Sequence, residues 1–291
     1  LNGENTDNAE VSETETSIDE TTAETEVKYV NVQGFEIPTN ITKLTLEGPD
    51  SAEKGGSSTE TDESRYVYKL NEPLTDISFL SNFTELESLD LSLNNISDIS
   101  TLSRLTNLTY LDLEANKISD ISALSGLTNL KYLDLDRIQI SDISALSGLT
   151  NLKDLSLWEN QISDISALTG LTNLTDLNLY ENQISDISAL SELKNLTWLD
   201  LDYNQISDIS ALSKLTNLEY VYLYGNQISD ISALSGLTNL TDLDLRENQI
   251  SDVGALPGLT NLTNLYLYYN PIPESDIESL KSALSNCEIN Y

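Results

Sequence analysis

The sequence predicts an α/β solenoid, in which short strands stack side by side into one parallel sheet. Repeats begin at nine positions spaced 22 residues apart, from Leu86 to Leu262, and the register is strict from Leu86 to Asn270. The units begin L-x-x-L-x-L, with Val221 in place of the second leucine in one of them. The final spacing of two places these aliphatic residues on one face of a short strand. The later aliphatic residues are spaced by three, which favours turns and short 3₁₀ segments over a long helix.

The aliphatic positions of one unit are too many for that unit to bury alone. They fall at positions 1, 4, 6, 11, 14, 17 and 20, as in the unit that starts at Leu196 and continues through Leu199 and Leu201. Stacked neighbours can cover these side chains if the strands pair in parallel about 4.8 Å apart. The repeat therefore predicts a continuous core that runs along the stack.

Two polar signals predict the bends of each unit. Asparagine at position 9 stands where the strand turns away, and a stack of amide side chains would bond the backbone of that bend, each bridging to the next turn. Ile138 takes this position in one unit, so one rung of the ladder is expected to be missing. The Ser-Asp pair at positions 12 and 13, such as Ser163 and Asp164, predicts a turn whose N–H groups are capped by side chains.

The rest of the chain divides into a tail and two caps. Residues 1–28 are rich in Thr, Ser and Glu, and we expect a disordered acidic N-terminal tether. Residues 29–85 are predicted to form an N-terminal cap with degenerate first repeats and a polar loop at 49–64, before the regular repeats of 86–270. Residues 271–291 predict a helix-strand cap, with a capping box formed by Ser275 and Glu278 and with Cys287 buried as a small hydrophobic residue.

Composition excludes several classes of function. The formal net charge of −34 argues against nucleic acid and anionic membrane surfaces as partners. There is no histidine, and a single cysteine cannot form an internal disulfide or a thiolate metal cluster. No apolar run reaches the length of about 20 residues that a transmembrane helix needs. We therefore expect no metal, no cofactor and no membrane insertion of this segment.

The pattern L-x-x-L-x-L-x-x-N-x-I-S-D-I-S-A-L resembles the bacterial leucine-rich repeats of the internalin type, over roughly residues 41–291. The resemblance implies a right-handed solenoid with a parallel sheet on its concave face and turns and short 3₁₀ or helical segments on its convex face. It also implies an extracellular or cell-surface bacterial protein that holds a partner on the concave face. The chain carries no wall-sorting motif, so an anchor is expected upstream of Leu1, if there is one.

Positions 3, 5 and 7 of each unit point away from the core, and position 8 lies at their edge. We expect this face to be exposed to solvent, yet with position 8 it carries both tryptophans and ten of the fourteen tyrosines. Two interpretations stay open: Tyr suits strands and stabilises its cross-strand neighbours, or these rings anchor an interface. The predicted partner-binding residues are Trp158, Tyr180, Trp198, Asp200, Asp202, Tyr203, Tyr220, Tyr222, Tyr224, Asp242, Asp244, Tyr266 and Tyr268.

The same face is acidic. Asp90, Asp112 and Asp134 are expected to stack one strand apart, where like charges repel by about 1 kcal/mol in water and by more in a drier groove. Such a column favours a basic partner surface or a cation. Calcium binding stays open as an alternative, although nothing resembles a twelve-residue calcium loop.

The leading hypothesis is a non-catalytic adhesion or scaffold protein that acts as a monomer and binds a protein or peptide. Carbohydrate recognition is the alternative, because Trp and Tyr platforms beside Asp and Asn acceptors also suit sugar rings. A glycosidase-like pair such as Asp200 and Asp244 is a weak hypothesis, since acids recur in every unit and none is singled out.

Overall fold

The computed structural model describes residues 11–12, 27–48 and 65–291, with the side chains of residues 11, 12 and 65 excepted. Its main feature is a sheet of twelve strands. From Ser88 onward the strands pair in parallel with no change of register, so that Leu177 lies opposite Leu199 and Asp200 opposite Tyr222. This confirms the α/β leucine-rich-repeat solenoid that the spacing predicts, because a 22-residue period advances the chain by one strand.

Each regular strand consists of positions 3 to 5 of its unit. The strands are β1 (Val11–Ser12), β2 (Tyr29–Val32), β3 (Phe35–Pro38), β4 (Lys43–Glu47), β5 (Arg65–Lys69), β6 (Ser88–Asp90), β7 (Tyr110–Asp112), β8 (Tyr132–Asp134), β9 (Asp154–Ser156), β10 (Asp176–Asn178), β11 (Trp198–Asp200), β12 (Tyr220–Tyr222), β13 (Asp242–Asp244), β14 (Asn264–Tyr266) and β15 (Glu288–Asn290).

Short 3₁₀ helices form the opposite side of the solenoid. They are Ser78–Asn82, Ser100–Arg104, Ser122–Leu124, Ser144–Leu146, Ser166–Leu168, Ser188–Leu190, Ser210–Lys214 and Ser232–Gly236. No helix among the described residues is both long and apolar enough to cross a bilayer.

The core runs between the sheet and these helices. In the unit that starts at Leu196, the side chains of Leu199 and Leu201 are fully buried, and so are Ile206 and Leu212. Burying one such side chain contributes about 1.5–3 kcal/mol. Neighbouring units supply the cover, which is why the aliphatic positions cannot vary much from copy to copy.

The bend after each strand is built in the same way in every regular unit except the one that contains Ile138. Position 8 has a positive φ throughout, between 48° at Glu247 and 68° at Gly225. The following asparagine then bonds the backbone. In Asn116, Nδ2 donates to the carbonyl of Leu91 in the preceding unit at 2.9 Å, and Oδ1 accepts the N–H of Ile96 at 3.0 Å. The predicted amide ladder is confirmed.

The interrupted rung is also visible. Ile138 is buried in place of the amide, and Gln139 beside it takes a second positive φ of 65°. Within the described residues, no side-chain amide from this unit reaches the N–H of Ile118, which is the group that the ladder would bond. The backbone of this one bend therefore departs from its neighbours.

The Ser-Asp signal also has the predicted role. Asp164 accepts the N–H of Ser166 at 2.8 Å, and this bond opens the 3₁₀ helix of its unit. The same contact lowers the pKa of Asp164, because the bond favours the ionised carboxylate.

The N-terminal region departs from simple succession. β5 follows β4 in the chain but pairs on its outer side, so β4 lies between β5 and β6. An antiparallel hairpin of β2 and β3 stands beside this edge, and β1 pairs with β2. Gly48 is required where β4 ends, since a Cβ there would lie 1.7 Å from the carbonyl oxygen of Leu93. The predicted tether (apart from residues 11–12 and 27–28) and the polar loop at 49–64 lie outside the described residues.

The C-terminal cap corrects two predictions. α1 (Glu274–Ala283) begins one residue before Ser275, with Pro273 as its N-cap and no capping side-chain bond, so the predicted capping box is wrong. Proline already holds the extended backbone that precedes a helix, with φ −61° and ψ 140°. Cys287 is only partly buried against the core, because β15 is the edge strand of the sheet in the part of the chain that the structure describes.

Candidate protein-binding face

The concave face is defined here as positions 3, 5, 7 and 8 of the units that contain β6 to β14. The parallel register places equal positions side by side, so Trp198 lies opposite Tyr220, and Tyr222 opposite Asp244. All thirteen predicted partner-binding residues lie on or beside β9 to β14. The structure thus brings them together in one continuous region.

A row of aromatic rings crosses this region. Trp158 meets Tyr180 at 5.7 Å between ring centroids, Tyr180 meets Tyr203 at 5.5 Å, and Tyr203 meets Tyr224 at 4.5 Å, all edge to face. Tyr203 reaches this row from position 8 because the next unit has Gly225 there. A Cβ on Gly225 would lie 2.9 Å from the Tyr203 ring. The contacts hold each ring in place.

A second aromatic pair lies on the strands themselves. The rings of Trp198 and Tyr222 are 5.8 Å apart and inclined at 61°. Tyr220, opposite Trp198, is 39% exposed, and Tyr268 at the far end is 42% exposed. The rings of Tyr220 and Tyr268 are therefore accessible to solvent and are not part of the aliphatic core.

Arg246 is the basic residue of this region. Its guanidinium binds the carboxylate of Asp244 with two nitrogens, and Nε lies 2.9 Å from Oδ1. The same group lies 4.6 Å from the centroid of Tyr224 and 5.4 Å from that of Tyr266. One acid and two rings thus enclose a cation that the chain itself supplies.

The expectation of a fully exposed face is wrong for the acids. Asp202 and Asp244 are 8% and 3% exposed, because strands packed this closely let the neighbouring side chains cover them. Asp202 accepts the N–H of Tyr224 at 2.6 Å, and Asp200 accepts the N–H of Asp202 at 2.9 Å. These carboxylates act partly as backbone acceptors.

Burial changes the ionisation of these acids. Burial raises the pKa of Asp200 to about 6, although the hydrogen bond that the Asp202 N–H donates to this carboxylate acts to lower it. It raises the pKa of Asp202 to about 8, with the charge of Asp200 adding to the shift. Burial likewise raises the pKa of Asp242, although Asn264 donates to its carboxylate at 2.9 Å.

The earlier units carry a different cluster. The rings of Tyr110 and Tyr132 stack at 4.3 Å and 5° between planes, and burial raises the pKa of both. Beside them, carboxylate oxygens of Asp112, Glu114 and Asp134 lie within 4.8 Å of one another. The predicted stacking of Asp112 on Asp134 is confirmed.

Two residues that shape the region are absent from the predicted set. Arg246 had a signal, since it is the single basic residue at positions 3, 5 and 7 of the nine units. Gly225 had a weaker signal, as the one glycine at position 8. Their roles depend on which rings lie beside them, which a pattern does not show.

Comparisons with known proteins agree with this architecture. The family model described as Leucine Rich repeats (2 copies) matches residues 106–148, 194–236 and 238–282, and the one described as Leucine rich repeat matches residues 74–118 and 150–206. Among solved structures, an internalin (InlF) of Listeria monocytogenes is 36% identical with a TM-score of 0.54, and the match covers 77% of this chain and 80% of the other. The chain belongs to the internalin-type leucine-rich repeat proteins.

Two further structures are similar to this internalin-type chain. An internalin C2 of L. monocytogenes is 35% identical with a TM-score of 0.49, over 70% of this chain and 78% of the other. A leucine-rich repeat protein of Leptospira interrogans is 22% identical with a TM-score of 0.49, over 77% of each chain. No curated protein sequence matches. Leucine-rich repeat proteins generally mediate protein–protein interactions, and the concave face described above is the surface to be tested for that role.

Proposed function

We propose that this chain is a non-catalytic adhesion or scaffold protein that binds a protein or peptide on its concave face, between β9 and β14. It acts as a monomer outside the bacterial cell or on its surface, as the similarity to internalins favours. The observation that carries the proposal is the row of rings from Trp158 to Tyr224. These rings lie outside the aliphatic core and are held by one another.

Preorganised rings suit an interface for a physical reason. A side chain that is already fixed loses little conformational freedom on binding, and Trp and Tyr dominate the energetics of known interfaces. Arg246 and the carboxylates of the same face add directional polar contacts beside the rings. The edge-to-face packing produces an uneven relief, which favours the shaped surface of a protein.

The test compares four variants for binding and for stability. A partner is first captured from secreted and surface proteins on the immobilised chain, then identified, purified and used for affinity measurements. Trp198→Ala and Tyr222→Ala are expected to weaken its binding by about 2 kcal/mol or more, with less than about 1 kcal/mol lost in stability. Leu199→Ala, on the buried face of the same strand, is expected to lose about 2–5 kcal/mol of stability.

Tyr29→Ala serves as the matched control. Its ring is 41% exposed, close to the value for Tyr220, but it lies on β2, outside the concave face. Unchanged affinity in the Trp198 and Tyr222 variants would contradict the proposal. A glycan array with the same proteins tests the carbohydrate alternative, which gains support if a glycan binds and these two variants lose it.

A further inference from the structure

We propose that the partner inserts an arginine or lysine side chain into a pocket formed by Trp198, Asp200 and Tyr222, an inference that rests on the proposed function. Asp200 and Tyr222 are register partners on β11 and β12. Trp198 lies two residues before Asp200 on the same face, with its ring 5.8 Å from that of Tyr222. One half-buried carboxylate and two rings therefore meet at one place.

The chain contains its own example of such a pocket, occupied. Asp244 is followed on the next strand by its register partner Tyr266, as Asp200 is followed by Tyr222. There the Arg246 guanidinium binds the carboxylate and lies 5.4 Å from the ring of Tyr266. The two places have the same positions in their units, so they share one backbone framework.

The two places differ at two positions: Trp198 at position 3 corresponds to Asp242 in the β13 unit, and the residue at position 7 also changes. Arg246 supplies the cation at the β13 pocket, whereas Asp202 takes the equivalent position beside Asp200. The β11 pocket therefore has a second acid where the other has a guanidinium. Among the described residues at positions 3, 5 and 7, Arg246 is the only base. Arg137, at position 8, pairs with Glu159 at 3.3 Å.

The chemistry of the pocket favours an organic cation over a metal ion. Calcium takes six to eight oxygen ligands, and aromatic rings provide none of them. A guanidinium or ammonium gains from a ring face and from a carboxylate together, while its aliphatic stem packs against the rings. A basic side chain on a protein or peptide meets both requirements, and the net charge of −34 favours its approach.

The experiment uses Trp198 as its own reporter. The chain has two tryptophans, so Trp158→Phe leaves Trp198 as the sole indole. This variant is titrated at constant ionic strength with a glycine-flanked triarginine peptide and with the same peptide carrying citrulline, which has nearly the same shape but no charge. We expect a saturable change in Trp198 fluorescence with arginine, and at least tenfold weaker binding with citrulline.

Two further substitutions locate the site. In the same background, Asp200→Asn and Tyr222→Leu are each expected to weaken binding of the arginine peptide about fivefold or more. Asp98→Asn is the matched control, because Asp98 caps an exposed turn away from the sheet and should leave the affinity unchanged. Thermal unfolding of each variant confirms that it is folded before it is titrated.

Three results would overturn the inference. They are equal binding of the arginine and citrulline peptides, equal losses in Asp200→Asn and Asp98→Asn, or a fluorescence change that calcium chloride produces and the arginine peptide does not. None of them touches the proposed function, which fails instead if Trp198→Ala leaves the affinity for a purified protein partner unchanged.

Discussion

Asn204→Ala is expected to lower the free energy of unfolding by about 2–5 kcal/mol, because this amide joins two turns of the solenoid. Its Nδ2 donates to the carbonyls of Leu179 at 2.9 Å and Leu201 at 3.1 Å. Its Oδ1 accepts the N–H of Ile184 at 3.0 Å. Alanine removes all of these bonds and leaves space too small and too buried for water to replace them well.

The bonds differ in what their loss costs. The carbonyl of Leu179 also accepts from Asn182 at 3.2 Å, and that of Leu201 also accepts from Asn226 at 2.9 Å. Each loses one of two donors, at about 0.5–1 kcal/mol. The buried N–H of Ile184 loses the one acceptor it has among the described residues, which costs about 1–3 kcal/mol. Their sum gives the expected range.

Urea unfolding followed by circular dichroism measures the effect. The matched control is Asn217→Ala, since Nδ2 of Asn217 also crosses to the preceding unit, where it donates to the carbonyl of Lys194 at 2.9 Å. That contact is exposed, so water can replace it and the loss should stay below about 1 kcal/mol. Equal losses in the two variants would refute the argument that the buried asparagine at position 9 contributes more stability than the exposed asparagine at position 22.

Three other outcomes follow from the charges and the thiol. Because the pKa values of Asp200 and Asp202, about 6 and 8, lie above the unfolded value of about 4, the folded state binds more protons between these values. The free energy of unfolding should therefore fall by up to about 5 kcal/mol from pH 5 to pH 8.5, and an equally steep fall in the double Asp→Asn variant would contradict this. Arg246→Gln removes the cation from the Asp244 carboxylate, which is 3% exposed, and should lower the free energy of unfolding by about 2–4 kcal/mol. Arg137→Gln is the control, because its ion pair with Glu159 is 47% exposed, and it should lower the free energy of unfolding by less than about 1 kcal/mol. Similar losses in the two variants would contradict this prediction. Burial raises the pKa of Cys287 to about 11. At pH 8 the Cys287 thiol should therefore react with a thiol reagent at least about tenfold more slowly than free cysteine. An equal rate would show that the thiolate forms readily and is exposed.

The repeated unit could be predicted in detail because its signals are local and recur every 22 residues. The leucines at positions 4 and 6 predicted a strand with one buried face, and Leu199 and Leu201 are fully buried there. Asparagine at position 9 predicted a ladder because a bend leaves backbone groups that need partners, and Ile138 marked its interruption. Period and side-chain chemistry together leave one way to stack such units.

The caps were less predictable, since no repeat corrects an error there. Whether α1 begins at Glu274 or later depends on Pro273 and on how the last turn leaves the stack. The side of β4 on which β5 pairs depends on the route of residues between them, and the strand pattern of YVYKL is the same for either side. Burial of Cys287 likewise depends on whether a further strand covers β15.

The sequence by itself determined the period, the strands, the core positions and the set of side chains on the concave face, because each follows from spacing along the chain. Only the tertiary structure decided that Asp202 and Asp244 are buried, that Arg246 binds Asp244 between two rings, and that Tyr203 packs over Gly225. These depend on rotamers and on contacts between residues 20 or more positions apart. A carboxylate on a face that points away from the core is exposed or buried according to its lateral neighbours, and stacking at strand distance brings those neighbours close enough to cover it.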